Sequence, residues 1–237
     1  QDLRRDLILP RWGMSKGKLP IYLIESQNRQ ELAGTFMRFQ EYYESPEFAG
    51  KYFTTEDFLA WYTQKDKKAT YHKDWAGFNV PSHVFKPFFD GNFDPLTDKE
   101  NKLLNLFRGI EGDYYVIGIT KSDFDWIETL KHELAHGMFF CDKSYRDDIL
   151  SCIADLSPNP ARSVLKKMGY GPNVIDDEIN AYILTEPETM AGTQSISLSN
   201  SKNIQEKLDR VFEKHFAFSM GGADGSDLVK NIVEVAL

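Results

Sequence analysis

The clearest pattern of apolar and polar positions lies at residues 126–141. Apolar side chains recur there every three or four positions, which is the spacing of one face of an α-helix. That apolar face consists of Ile127, Leu130, Leu134, Met138 and Cys141. The opposite face is polar, and Asp123 or Asp125 can cap the start of the segment. We therefore predict a helix that packs on the core by one face and lines a cleft with the other.

Helical patterns dominate the rest of the chain, and two segments favour strands. Short runs of β-branched and aromatic residues predict strands at 19–25 and 114–120. Helices are predicted at 28–44, 55–62, 97–108, 145–156, 161–168, 172–185, 202–218 and 226–237. Irregular surface structure is predicted at 70–95 and a mobile loop at 187–200. Together these elements predict an α+β fold, mostly helical, with a small mixed β-sheet beside the helix at 126–141.

Composition indicates a globular protein and limits the classes of partner that we expect. The chain has 237 residues, of which 41% are hydrophobic, and this is enough for a substantial core. We expect an N-terminal subdomain at 1–110 and a core domain at 111–237, packed as one compact unit. The formal net charge is −8 without a cluster of basic residues, which argues against a nucleic-acid partner. No apolar run reaches the length of a transmembrane helix, so we expect no membrane span.

The first residue and the cysteines bear on the location of the protein. The chain begins with Gln1, so we expect that a signal peptidase or a deliberate truncation removed the residues before it. A secreted or periplasmic location is expected slightly ahead of a cytoplasmic one. Cys141 and Cys152 are compatible with a disulfide in an exported protein and equally with two buried free thiols.

The polar face of the helix at 126–141 carries His132, Glu133 and His136, which form the pattern H-E-x-x-H. Residues four apart project from the same side of a helix, so both imidazoles can bind one metal ion. Glu133 lies beside them, where a general base for water would be needed. The motif predicts one zinc ion per chain, and the alternative is an ordinary pair of histidines in the core or on the surface.

A catalytic zinc site needs three protein ligands and one open position, so the motif is incomplete by itself. The helix predicted at 172–185 has an apolar stripe formed by Ile175, Ile179, Tyr182 and Ile183. Glu178 lies at the edge of this stripe, whereas Asp176 and Asp177 are predicted to point away, at a helix start that favours acids. Because an inward carboxylate is costly unless it is paired or bound to metal, Glu178 is the best candidate for the third ligand.

Three other residues are weaker candidates for a metal ligand. Asp142 occupies the place of the last histidine in H-E-x-x-H-x-x-G-x-x-H, but Phe139 replaces the glycine that lets the chain turn there. His72 and His83 have no partner at a helical or hairpin spacing. We expect all three to lie outside the site.

The segment His-Glu-Leu-Ala-His at 132–136, with Glu178 on a following helix, resembles the gluzincin class of zincin metallopeptidases. The resemblance covers roughly residues 112–186 and implies a zincin-like fold. Its layout is nearest to the lethal-factor-like and Pro-Pro endopeptidase branch, in which a catalytic tyrosine precedes the ligand glutamate by about two helical turns. Tyr170 stands eight residues before Glu178. Many gluzincins carry an aspartate four residues after that glutamate, where this chain has Tyr182.

The resemblance implies a zinc-dependent metalloendopeptidase whose catalytic core is the part at 111–237. The implied zinc ligands are His132, His136 and Glu178. Glu133 is the implied general base. The implied donor to the oxyanion is the hydroxyl of Tyr170 first, that of Tyr182 second and, more distantly, a ring N–H of His215.

We expect a peptide or protein substrate. The strand Tyr114–Thr120 would bind it in extended form if that strand is the sheet edge beside the cleft. Two other functions are alternatives: an inactive zinc-binding or effector module, and a zinc hydrolase of a non-peptide amide. A structural zinc site normally closes its fourth position with a cysteine or histidine at short spacing, and neither Cys141 nor Cys152 is placed for that. The binding module is therefore the less favoured function.

Overall fold

The computed structural model describes residues 19–66, 70–155, 160–168, 170–172, 174–192 and 197–237. The strands of these residues are β1 (Ile21–Glu25), β2 (Gly77–Pro81), β3 (Tyr115–Ile119) and β4 (Val233–Val235). The longer helices are α1 (Arg29–Glu44), α2 (Thr55–Asp66), α5 (Asp98–Phe107), α6 (Trp126–Cys141), α7 (Lys143–Ala154), α8 (Pro160–Met168), α9 (Ile175–Thr185) and α11 (Leu198–Phe216). The short ones are α3 (Tyr71–Asp74), α4 (Lys86–Phe89), α10 (Pro187–Gly192) and α12 (Gly225–Lys230), with a 3₁₀ turn at Ser82–Phe85.

The helices predicted from periodicity and capping residues are confirmed through α9 and at α11, within a few residues at each end. Helix α6 spans the predicted residues Trp126–Cys141. Helix α1 begins after Asn28, whose side chain accepts a hydrogen bond from the backbone of Glu31 at 2.9 Å. At α5, Thr97 and Glu100 form the predicted capping box. Local sequence signals therefore placed most of the helical chain correctly.

The four strands form one mixed sheet in the order β2-β3-β1-β4. Strand β1 pairs in parallel with β3 and with β4, whereas β2 is antiparallel to β3. The condition under which Tyr114–Thr120 would bind substrate is not met, because β3 is paired on both sides, with Gly118 opposite both Ile24 and Phe78. Strand β2 is the sheet edge next to β3.

The sheet separates two layers of helices, and alternate residues of its central strands face each layer. Towards α6, α7, α9 and α11 the strands bury Ile21, Leu23, Tyr115, Ile117 and Ile119. Towards α1 and α5 they bury Tyr22, Ile24, Val116 and, from β2, Phe78 and Val80. This alternation follows from the two-residue repeat of a strand. Both faces are covered, so the α+β class with a small mixed sheet is confirmed.

Three segments differ from their predictions, and in two of them a short strand pairs with a distant strand. Residues 70–95, predicted to be irregular, contain β2, the short helices α3 and α4 and the 3₁₀ turn, with buried apolar side chains. Residues 187–192, predicted to be part of a loop, form α10, while 193–196 lie outside the described residues. The predicted terminal helix at 226–237 is a short helix followed by β4, which pairs with β1.

A buried ion pair fixes α1 against α5. The guanidinium of Arg38 donates to both carboxylate oxygens of Glu100, with Nε 2.6 Å from Oε1, and Nη1 donates to the Phe93 carbonyl at 2.9 Å. Both side chains of the pair are only 3% exposed. Buried charges that are paired in this bidentate way lock relative positions, because separating them leaves an uncompensated charge. Helix α1 is thereby held where its later residues reach β2.

The sheet takes strands from both predicted parts of the chain, since β1 and β2 precede residue 110 and β3 and β4 follow it. The division into 1–110 and 111–237 stays a prediction.

None of the helices in the described residues combines the length and apolarity needed to cross a membrane.

Replacing Gly118 by alanine is expected to destabilise the fold. A Cβ there would lie 2.5 Å from Cε2 of the buried Phe36 ring, which is far inside van der Waals contact. Overpacking of this kind costs about 1–3 kcal/mol of unfolding free energy. Chemical denaturation measures the loss, and Gly222→Ala, whose Cβ would meet open space, is the matched control. Equal stabilities of the two variants would contradict the close packing of α1 on the sheet.

Candidate metal centre

Helix α6 presents both histidines of the motif on one face. The Nε2 atoms of His132 and His136 lie 3.2 Å apart, and the ring centroids are separated by 4.9 Å. The opposite face of α6 is anchored by Leu130, Leu134 and Met138, each fully buried. Anchoring of the apolar face therefore fixes the two imidazoles in the direction of α9.

Helix α9 brings the third candidate ligand to the same place. One donor atom each from His132, His136 and Glu178 lies within 4.8 Å of the others. Asn180, which is completely buried, ties the helices together by donating from Nδ2 to the Ala135 carbonyl at 3.3 Å. The three residues predicted as metal ligands are thus brought together and form a group that could hold a metal ion.

The acids around the histidines carry a surplus of buried negative charge. Burial is the main cause that raises the pKa of Glu178 to about 8, and the nearby His136 offsets part of that rise. The carboxylates of Glu44, Asp177 and Glu133 raise it further. Burial likewise raises the pKa of Glu44 to about 7. Such crowding favours a positive charge at the centre of the group.

The donor atoms of the two histidines and of Glu178 are suited to binding a cation. Oε2 of Glu178 is buried and accepts no hydrogen bond from the described part of the chain; its nearest ion-pair partner is Nε2 of His136 at 3.9 Å. A buried carboxylate oxygen without a partner is costly unless something positive satisfies it. Two imidazole nitrogens and this oxygen supply that set of donors, so the residues present fit a divalent metal ion.

Each histidine has a carboxylate at its other ring nitrogen. Nδ1 of His136 lies 3.0 Å from Oδ1 of Asp177, and Nδ1 of His132 lies 3.1 Å from Oε1 of Glu186. The prediction that Asp177 points away from the site is therefore wrong. Carboxylates at Nδ1 orient the imidazoles and leave Nε2 for a metal. Helical phase did not find this role of Asp177, and no sequence signal indicated Glu186.

The two candidate tyrosines meet beside the histidines. The hydroxyls of Tyr170 and Tyr182 are 3.0 Å apart, and the ring of Tyr182 packs edge-on against His132 with centroids separated by 4.8 Å. Burial raises the pKa of both phenols, and the carboxylate of Glu178 adds to the rise at each. Both hydroxyls therefore remain protonated at neutral pH and can donate hydrogen bonds.

The weaker candidates have other roles. Asp142 caps α7 by accepting from the Tyr145 backbone at 2.9 Å, and His215 lies 2.9 Å from Asp148 near the surface. His72 and His83 do not join the metal group.

A cavity of about 800 Å³ lies between α1, α5 and β4, and none of the site residues lines it.

Cys141 and Cys152 are free thiols of intermediate exposure, so the structure has no disulfide between them. Burial raises the pKa of Cys141 to about 12, so its thiol stays protonated. Neither cysteine belongs to the metal group.

Strand β2 supplies a residue that the sequence did not indicate. The side chain of Asn79 donates from Nδ2 to Oε2 of Glu133 at 2.6 Å. Next to it, Gly77 lets the strand approach α6, since a Cβ there would lie 2.6 Å from Oε1 of Glu133. The alternation of Phe78 and Val80 was the available signal for a strand, but it is short and ends at Pro81.

Comparison with protein-family models, with curated proteins and with solved structures found no significant match. The function of this site is therefore argued from its own residues and geometry.

The purified protein is expected to bind about one divalent transition-metal ion per chain through His132, His136 and Glu178. A ligand present at 100 times its Kd stabilises the folded state by about 2.7 kcal/mol, so chelation should lower Tm by about 5–10 °C. Elemental analysis and thermal unfolding measure the two effects. His136→Ala should lose the metal and His72→Ala should keep it; a wild-type protein that binds neither zinc nor cobalt would overturn the site.

Changing Asp177 to asparagine is expected to weaken metal binding by about 10- to 100-fold, because the His136 ring loses the carboxylate that orients it. Competition with a chelating dye measures the affinity. Asp176→Asn is the matched control, since the neighbouring Asp176 pairs with Arg162 on α8 instead. Equal losses in the two variants would show that the contact between Asp177 and His136 is irrelevant to the metal.

Proposed function

We propose that this protein is a zinc-dependent metalloendopeptidase of the gluzincin type. The observation that carries the proposal is the convergence of His132, His136 and Glu178 from two helices, with Glu133 next in sequence to a ligand and itself buried. An accidental histidine pair would need neither the buried glutamate of α9 nor carboxylates at both Nδ1 atoms. The arrangement is one that a metal hydrolase needs.

The donor set favours zinc among divalent metals. Two imidazoles and one carboxylate form a ligand set typical of catalytic zinc, with a fourth position left open. When bound, zinc would polarise the carbonyl of the scissile bond and make a water molecule more acidic. His132, His136 and Glu178 would hold the ion, while Asp177 and Glu186 would keep the imidazoles in orientation.

Glu133 is proposed as the general base. It would take a proton from the attacking water and pass that proton to the leaving amine. The residue is 8% exposed and Oε2 accepts from Asn79, so Oε1, to which no described residue donates, is the oxygen proposed to act on water. A carboxylate with one oxygen held by a donor and the other without a donor has the geometry expected of a base that must act in a single direction.

The tyrosine pair is proposed to stabilise the oxyanion. A phenol that stays protonated can donate a hydrogen bond to negative charge developing on the substrate carbonyl oxygen. Tyr170 is the first candidate, because its hydroxyl is already bound to that of Tyr182 and can exchange this contact for the oxyanion. Tyr182 packs on His132 and holds its partner beside the ligands.

The free edge of β2 is the proposed place for the substrate backbone. Within the described residues β2 pairs with β3 alone, and its residues Gly77 and Asn79 adjoin Glu133. An extended peptide beside this edge would pass the proposed general base. The outward N–H of Asn79 already donates to Gln40 of α1, so the peptide would pair with the other outward backbone groups of β2, which supply affinity without requiring one sequence. This favours a peptide over a small non-peptide amide as the substrate.

Glu133→Gln should retain the metal and lose hydrolysis of peptides by about 100-fold or more, since the amide cannot accept the proton of water. Cleavage of a peptide library, read by mass spectrometry with and without chelator, measures activity, and elemental analysis measures the metal. Glu128→Gln, on the same helix but with an exposed side chain that pairs with Lys131, is the control and should stay active.

Full activity in Glu133→Gln would remove the proposed mechanism. A wild-type protein that binds zinc and cleaves no peptide in the library would support the inactive binding module instead.

A further inference from the structure

We propose that Asn79 is a positioning residue, which holds the carboxylate of Glu133 in the orientation required of a general base. The proposal rests on the proposed function for the role of Glu133, but the contact itself is a property of the fold. Asn79 lies on the edge strand β2 and Glu133 on α6, so the pair joins the edge of the sheet to the helix that carries the metal motif.

The contact between the two side chains is short and buried. Nδ2 of Asn79 donates to Oε2 of Glu133 at 2.6 Å, and the two residues are 7% and 8% exposed. A buried carboxylate needs a donor, and hydrogen bonds to charged groups are stronger than those between neutral ones. Asn79 is the described residue that donates to this carboxylate, so the direction of Glu133 depends on it.

The amide of Asn79 is itself oriented by a second buried residue. The hydroxyl of Tyr115 on β3 donates to Oδ1 of Asn79 at 2.6 Å. Burial raises the pKa of this phenol well above its ordinary value, so the hydroxyl remains a donor. With the amide oxygen occupied by a donor, the NH₂ group must face Glu133. Tyr115 thereby prevents the amide from turning its oxygen towards the carboxylate.

The backbone of Asn79 is held as well. Its N–H points to the outer side of β2 and donates to Oε1 of Gln40 on α1 at 3.1 Å, while Nε2 of Gln40 donates to Glu44. Three groups of Asn79 are therefore hydrogen-bonded: the backbone N–H, the amide oxygen and the NH₂ group. Such fixation suits a residue that must orient another.

Strand β2 also restricts the movement of Oε1, the other carboxylate oxygen of Glu133. A Cβ at position 77 would lie 2.6 Å from Oε1 and 3.1 Å from Cγ of Glu133, so the glutamate side chain rests against the bare backbone of Gly77. The amide of Asn79 on one side and Gly77 on the other leave the carboxylate little freedom to rotate. Without Asn79 it would be free to adopt other staggered rotamers.

The test compares wild type with Asn79→Leu, which keeps the branched shape of the side chain and removes the donor, and with Tyr115→Phe, which only frees the amide to turn. Crystal structures of the zinc-loaded proteins measure the orientation of the Glu133 carboxylate without reference to activity. We expect it to be rotated in Asn79→Leu and retained or split between two orientations in Tyr115→Phe. Metal content should equal that of wild type in both variants.

Steady-state kinetics on a peptide cleaved by the wild type give the second measurement. Misplacement of a catalytic group by about 1 Å costs on the order of 100-fold, so kcat should fall by about 10- to 100-fold in Asn79→Leu with KM changed less than about threefold. Loss of one neutral hydrogen bond in Tyr115→Phe should lower kcat by about 3- to 10-fold. The double variant should be no worse than Asn79→Leu, because both residues act through one amide.

Asn92→Leu is the matched control, since Asn92 also bonds to a tyrosine hydroxyl, that of Tyr52 at 3.1 Å, but on the surface. It should leave orientation, kcat and metal content unchanged. An unrotated Glu133 in Asn79→Leu, or an effect on KM alone, would overturn the proposal. A wild type without metal-dependent cleavage would refute the proposed function only, and the crystallographic comparison would still decide whether Asn79 orients Glu133.

Discussion

The burial of carboxylates beside two histidines, where α6 packs on α9, is the interaction on which the site depends. Glu178 and Glu133 are each less than a tenth exposed, and Asp177 lies within ion-pair distance of His136. So many acids in one buried place are costly unless a cation balances them. The apolar face of α6 and the buried Asn180 hold α6 and α9 close enough for the histidines and carboxylates to share one cation.

The sheet contributes to the candidate site through its edge. Central strands β1 and β3 are covered by helices on both faces and serve as a rigid base, whereas β2 is paired on one side and meets α6 through Gly77 and Asn79. Helix α1, locked by the buried pair of Arg38 and Glu100, reaches the same strand through Gln40. The layer without the histidines thus stabilises the strand that touches Glu133, the proposed general base.

Sequence reasoning was most successful where the signal is local. It placed α6 at its bounds, identified the capping box at Thr97, and chose Glu178 because an acid at the edge of an apolar stripe needs a partner. It was wrong on Asp177. Side chains in a helix lean towards its N-terminus, so two consecutive acids of the first turn of α9 both reach α6, which ideal helical phase does not allow for.

By itself, the sequence determined the longer helices, the capping box of α5 and the spacing of the histidines, because these depend on residues within about two helical turns of each other. Only the tertiary structure decided which strand is the sheet edge, that the chain ends in β4 beside β1, and that Asn79 contacts Glu133. Strands of three to five residues have little pattern of their own. Their pairing is set by contacts between distant parts of the chain, which local periodicity does not encode.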